Sequence, residues 1–333
     1  LSDKIGFYKI MIFSLMTSGI AFFGLQFVTS FEGLLVAMFF IMVVADMFRP
    51  AMFVSLGAYA KPENRTRALT LVRLAINLGF AAGPALGGLL IMTVGYKGLF
   101  WVDGTTCILA ILIFWILVKE KKKSKYTDKE HPGEILTHSV FKDRPFWIFL
   151  GATLITGILF FQLFTTIPLY HKEQFDLSEL QTGLLLTLNG VLIFFLEMPI
   201  VSYIERHKIN KLKVITLGCL AMAISMYLLL VNQWAGILII MMLFMTFGEM
   251  FVFPFSNSFA MSRAPKGHEG RYMAIFTMSY STAHILSAEA GMDMIRLFSY
   301  QNNWFFMGTL GIIGVSLFVW TMKLVTKEPP KIL

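Results

Sequence analysis

Apolar residues along this chain gather into ten blocks, near residues 10–28, 33–57, 68–94, 98–118, 146–170, 180–204, 212–231, 234–258, 272–295 and 303–325. The connections between them are mostly short and polar. Each block is about 20 to 25 residues long, enough to cross a hydrocarbon core of roughly 30 Å at about 1.5 Å per helical residue. Barrel strands would be about half that length and would alternate, so the pattern predicts an all-α membrane protein with ten visible spans.

Composition agrees. Of 333 residues, 56% are hydrophobic and 14% charged, with a mean hydropathy of +0.70, against about 25% charged in a soluble domain. A net charge of +8 would suggest nucleic acid in a soluble protein, but here the cations follow the loops. With the first loop cytoplasmic, alternation of the spans puts Lys4, Lys9, Lys61, Arg65, Arg67, the 119–144 segment, Arg206, Lys208, Lys211, Lys213, Arg263, Lys266, Arg271, Lys323, Lys327 and Lys331 inside. Lys97, Lys172 and Arg296 fall outside. This asymmetry fits the positive-inside rule, places the 119–145 loop and the C-terminus in the cytoplasm, and removes the need for a nucleic-acid partner. Cys107 and Cys219 sit inside apolar blocks, with neither metal-ligand nor disulfide spacing. With no nucleotide loop, HExxH or nucleophile elbow, neither ATP nor covalent catalysis is supported, and no cofactor is expected.

The chain repeats itself. ADMFRP at 45–50 resembles GEMFVFP at 248–254, an offset of 249 − 46 = 203. Pro62 follows Asp46 by 16 residues as Pro265 follows Glu249, and within a residue the same shift carries Asp3-Lys4 onto Glu205-Arg206 and Arg67 onto Arg271. The domains expected are therefore a first half at 1–118, a polar linker at 119–145 and a second half at 146–333. The second half has six spans from about residue 145, so the first would begin near 145 − 203 = −58. About two helices are then absent, and the opening LSDKIGFYKI reads as a loop between the second and third helices of a twelve-span protein.

That opening, through Asp3, Lys4, Gly6 and Lys9, resembles the loop 2–3 signature of the major facilitator superfamily, with Phe7 and Tyr8 where basic residues are usual. RLAINLGFAAGPALGGLL at 73–90, through Gly79, Gly83, Pro84, Gly87 and Gly88, resembles the fifth-helix signature of its proton-driven antiporter branch. Within the superfamily the chain is most similar to the twelve-span drug:proton antiporter group. One departure is Ser287-Ala288 in the eleventh span, where the symmetric position would carry Gly-Pro; INLG in the fifth is a phrase shared with peptide symporters. The resemblance implies a major facilitator fold of two six-helix halves. It also implies a monomeric carrier in a bacterial-type cytoplasmic membrane that exports a small amphipathic compound against protons. Under it, the Asp3 loop gates the cytoplasmic side and the bend at Pro84 seals the cavity against proton leak. Proton-coupled uptake of a peptide or nutrient, and a non-transporting sensor or scaffold, stay open.

Read as residues, Gly79, Gly83, Gly87 and Gly88 share one helix face, which admits a neighbouring backbone, and Pro84 bends the span; plain packing accounts for them equally. Asp46, Arg49, Glu197 and Glu249 lie inside spans, where an ionisable group costs about 2.5–3.5 kcal/mol and marks a candidate site. Asp46 and Arg49, three apart, can neutralise each other. Glu249 has Val252 where its repeat partner has Arg49, and Glu197 has no cation in its span, so both are candidates for proton exchange. Asn189 is a candidate cavity residue. Arg73 and Asn77, four apart, either hold the loop motif or face the cavity. His284 and Glu289 lie deeper in the eleventh span, and Asp103 and Asp293 near outer ends. Phe160, Phe161, Phe164, Phe251, Phe253 and Phe255 line an adaptable cavity or face lipid.

Overall fold

The computed structural model describes residues 6–48, 51–52, 55, 59, 65–120, 140–231, 234–264 and 269–328. Among them are eleven α-helices and no strand: α1 (Phe7–Leu25), α2 (Phe31–Ala45), α3 (Arg65–Val94), α4 (Tyr96–Leu117), α5 (Arg144–Phe161), α6 (Thr166–Phe175), α7 (Glu179–Arg206), α8 (Lys211–Leu228), α9 (Ile237–Arg263), α10 (Glu269–Leu297) and α11 (Tyr300–Thr326). Seven candidate spans in the described residues are long and apolar enough to cross a membrane. The α2 helix is apolar but shorter, as is the Leu78–Val94 part of α3, and α10 carries the polar residues Ser279, His284, Ser287 and Glu289 along its length.

Two of the ten blocks are not the unbroken helices expected. In block 33–57, α2 stops at Ala45 with Asp46 as its C-cap. Ser14 of α1, fully buried, donates to the carbonyls of Val44 at 2.7 Å and Ala45 at 3.2 Å, giving the last helical carbonyls a side-chain partner where the ladder ends. Block 146–170 is interrupted by a 3₁₀ turn at Gln162–Phe164 between α5 and α6. Other ends follow the local chemistry: Asp143 caps α5, Asn210 caps α8, and Ser178 with Gln181 forms a capping box on α7.

The chain divides into two compact units, Leu1–Gly79 with Leu86–Glu130, and Phe80–Ala85 with His131–Leu333. In the first, α1 packs on α2 and α4 around Phe7, Tyr8, Ile10 and Met11. Phe7 meets Tyr59 edge-on at 5.9 Å and Tyr8 donates to the Val118 carbonyl at 2.9 Å. The aromatic pair that replaces the usual basic residues of the loop signature is thus core. In the second unit α8 lies against α9 and α11, and α5 against α10 and α11. The α8–α9 crossing is close because Gly218 and Gly248 face each other: a Cβ on either would sit 2.8 Å from the other's carbonyl oxygen.

Candidate functional site

That crossing places the residue after Gly248. On α9, half-buried Glu249 accepts through Oε2 from Asn189 Nδ2 of α7 at 3.0 Å. The same amide donates to Thr246 Oγ1 at 2.9 Å, and Thr246 donates to the Met242 carbonyl at 2.6 Å. Buried Glu197, eight residues beyond Asn189 on α7, is within electrostatic reach of Glu249. No ion pair joins Glu249 to a cation among the described residues. Pro254 sits inside α9 five residues on, withholding one backbone donor next to this carboxyl's turn. Two residues singled out in the sequence, Asn189 and Glu249, therefore meet, Thr246, three before Glu249, joins them, and Glu197 stands within electrostatic reach.

Beside them stands an aromatic wall. Phe160 packs against Phe161 at 5.2 Å, Phe164 at 5.5 Å and Phe253 at 4.7 Å, Phe253 against Tyr280 at 5.5 Å, and Phe161 stacks on His284 at 4.4 Å. Phe251 and Phe255 stand apart from this wall. Phe255 is 2% exposed in the core, and Phe251 packs over Gly218.

The break between α5 and α6 is closed by Gln162. Its Nε2 donates to the carbonyl and hydroxyl of Ser287 on α10 at 2.9 and 2.8 Å, its Oε1 accepts from Thr166, and Ser287 donates to the Ile158 carbonyl at 2.9 Å. The Ser287-Ala288 departure from Gly-Pro thus supplies the partner that a broken helix needs. A single Gln inside an apolar block was the available signal. Gln162→Leu is expected to destabilise the protein by about 1–3 kcal/mol, because Ser287 and Thr166 lose a buried partner; thermal unfolding in detergent measures it.

At one end of the unit Arg263, 8% exposed, grips Asp143 in a fork, Nε to Oδ2 at 2.8 Å and Nη2 to Oδ1 at 2.7 Å, and bonds Glu328 with Nη2 to Oε1 at 2.6 Å. Tyr272 donates to Asp143 Oδ2 at 3.0 Å, and Asp143 Oδ1 accepts from the Phe146 amide at 3.2 Å. Burial alone would raise the Asp143 carboxyl, but the Arg263 bonds and charge, with the Phe146 and Tyr272 donors, hold it below the ordinary carboxylate range. In sequence these charges were indistinguishable from other inside-loop charges.

Asp3, Lys4 and Arg49 lie outside the described residues, so the gate and the Asp46–Arg49 pair do too. Gly6 is the N-cap of α1 at φ 93°, Lys9 is exposed on that helix, and Asp46 is exposed at the end of α2. Arg73 and Asn77 lie on α3, with side chains outside the description. The close backbone approach expected along the glycine face is absent at Gly79 and Gly83, where no described atom lies within 4 Å of a built Cβ; Gly87 meets Leu99 at 4.0 Å, and Gly88 is buried. It occurs instead one residue on: in the second unit the Pro84 carbonyl lies against Gly183 of α7, with the Pro84 carbonyl carbon 3.0 Å and Ala85 Cα 3.3 Å from where a Cβ would be. Gly183→Leu is expected to push these backbones apart and to lower transport severalfold with membrane insertion retained, checked by flux in vesicles normalised to protein. His284 and Glu289 are exposed, Asp293 pairs with exposed Arg296 at 2.9 Å, and Asp103 is exposed.

Spanning helices, an acid held across two of them by an amide, and a helix broken beside an aromatic wall suit an integral membrane carrier. The chain belongs to the Major Facilitator Superfamily, whose family model matches residues 1–288. It is similar to a Na(+), Li(+), K(+)/H(+) antiporter of Planococcus maritimus, 22% identical over 98% of this chain and 84% of that one. An uncharacterised transporter of this type from Bacillus subtilis, YttB, is 25% identical over 82% of this chain and 68% of its own. Among solved structures, a POT family transporter in complex with 5-aminolevulinic acid aligns at TM-score 0.78 and 16% identity, covering 98% of this chain and 84% of that one. The nucleoside transporter NupG aligns at TM-score 0.73 and 13% identity, over 96% and 85%. The protein is thus an all-α major facilitator transporter, with secondary transport as its class of activity.

Proposed function

We propose that this transporter exports a small amphipathic compound in exchange for protons, with Glu249 as the proton-exchanging acid. The observation that carries this reading is the Asn189–Glu249–Thr246 bridge between α7 and α9 without a cation on the acid. Ionised, Glu249 holds the Asn189 amide and fastens the two helices; protonated, it no longer presents a charge to be stabilised, and the bridge loosens. Proton occupancy thereby biases which arrangement of α7 and α9 is favoured, the differential interaction that alternating access requires. Glu197 supplies a second acid close by. The aromatic wall and His284 give the cargo an apolar, adaptable face.

In this reading Asp46 with Arg49 contributes from the first half, and the loop with Asp3, Lys4, Gly6 and Lys9 gates the cytoplasmic side. Gly79, Gly83, Pro84, Gly87 and Gly88 bend and seal the cavity, flanked by Arg73 and Asn77. The protein works as a monomer in a bacterial cytoplasmic membrane, with the halves 1–118 and 146–333 joined by a cytoplasmic 119–145 linker and the C-terminus inside. The antiporter relative supports exchange with protons and favours a second cargo, a monovalent metal cation. Everted vesicles carrying the full-length protein, with an acid interior followed by a pH dye, decide between them. Discharge by lipophilic cations supports the first cargo, and discharge by Na⁺, Li⁺ or K⁺ the second. If nothing discharges the gradient while counterflow in proteoliposomes shows exchange, the protein is a symporter or facilitator, as in proton-coupled uptake of a peptide or nutrient.

A further inference from the structure

Away from the Glu249 bridge, two adjoining cavities open beside the α7–α8 loop, sharing Ile204 and Ile209 in their walls. One, about 550 Å³, is lined entirely by apolar groups and Tyr203, between Pro199 and Leu217. The other, about 510 Å³, is lined in part by Lys208, Asn210, Lys211 and the single acid Glu205. Both volumes are in the range of small-molecule sites, roughly 300–1,000 Å³. Tyr203 and Leu217 at the apolar mouth are 60% and 59% exposed, which puts their side chains toward the surroundings of the helices rather than into the core.

The charge around the second cavity is one-sided. Lys208 and Lys211 line it and Arg206 and Lys213 flank them in sequence, against Glu205, and among the described residues no ion pair neutralises any of the four cations. Lys211 is turned inward, its Nζ donating to Ser258 of α9 at 2.6 Å, and Lys208 is held in the left-handed region at φ 51° on the cavity wall. An apolar slot continuous with a cationic basin matches one amphiphile with an acyl chain and an anionic head. Clusters of four or more cations beside a span recognise such headgroups.

We infer that this face binds an anionic phospholipid, its acyl chain in the slot between Pro199 and Leu217 and its phosphate in the basin with Lys208 and Lys211. Under the orientation proposed above this lipid belongs to the inner leaflet; the binding itself does not rest on that orientation. The test places the full chain in proteoliposomes with phosphatidylglycerol or phosphatidylcholine carrying a photoreactive acyl chain, and maps the label by peptide mass spectrometry. Phosphatidylglycerol is expected to label residues 199–217 severalfold above phosphatidylcholine. Lys208→Gln and Lys211→Gln should each lower that selectivity about fivefold, and Leu217→Trp, filling an exposed mouth, should lower labelling with either headgroup. Equal labelling by the two lipids, or labelling indifferent to Leu217→Trp, would overturn the inference, as would loss of label to inorganic phosphate alone, which would show a headgroup site without a chain. Substrate-driven proton flux is read in the same vesicles: selective label without flux overturns the proton-exchange reading and leaves this one standing, and flux without selective label does the reverse.

Discussion

Glu249→Gln uncouples the carrier while leaving it folded. The amide that replaces the carboxyl mimics the protonated acid: its oxygen still accepts from Asn189 Nδ2, but without the charge that strengthens the bond, while the crossing at Gly218 and Gly248 is untouched. What disappears is the titrating group. Gradient-driven export is expected to fall by about tenfold or more, each tenfold corresponding to ~1.4 kcal/mol of lost linkage between proton and conformation. Substrate counterflow, which needs no net proton movement, is retained. Glu197→Gln is the informative partner: a smaller loss there makes Glu249 the main acid, whereas equal losses make the two a unit. Retained gradient-driven export in Glu249→Gln would move the proton site elsewhere.

Arg263→Ala has the largest expected effect on stability. It leaves Asp143 and Glu328 without the guanidinium that both bond, and removing one partner of a buried bridge costs about 3–5 kcal/mol. Asp143→Asn is milder, because Asn also caps a helix and can still accept from the Phe146 amide. Its pH dependence has a definite sign. The folded Asp143 carboxyl is held below its ordinary range, so the folded state sheds this proton at a lower pH than the unfolded chain. The stabilisation is therefore fully present above the unfolded value of about 3.9 and is lost as pH falls through the folded value. The gap in melting temperature between wild type and Asp143→Asn should stay constant from about pH 5 upward and narrow below about pH 4. A gap that widens in acid would contradict the assignment.

Most of the helical plan was legible because lipid imposes it: a span must satisfy its backbone internally, and that leaves a long apolar block in the sequence. The two breaks were not legible, since each depends on a side chain from another helix. Nothing near Asp46 announces that Ser14 will take the last carbonyls of α2, and nothing in block 146–170 except Gln162 announces that α10 will hold a broken turn. The repeat likewise overstated symmetry. Glu249 lies within a continuous α9, while Asp46 ends α2 exposed, because the partner of each is set by packing outside the repeated motif. Glu249, Asn189 and Glu197 could be named from cost alone, as polar groups in apolar surroundings. Thr246 could not, because a threonine in a span usually satisfies itself on its own helix. Arg263 and Asp143 were hidden for the opposite reason: at a loop, charge is ordinary, and only the fold shows it buried.

The grip of Arg263 on both Asp143 and Glu328 also bears on how the protein is made. Asp143 caps α5 and Glu328 follows it by 328 − 143 = 185 residues. The ribosome delivers the first acid long before the last, and between those moments Arg263 has one carboxylate instead of two. The knot therefore closes only after α11 has been made: a chain cut before Glu328 keeps α5 to α11 yet leaves Arg263 holding Asp143 alone.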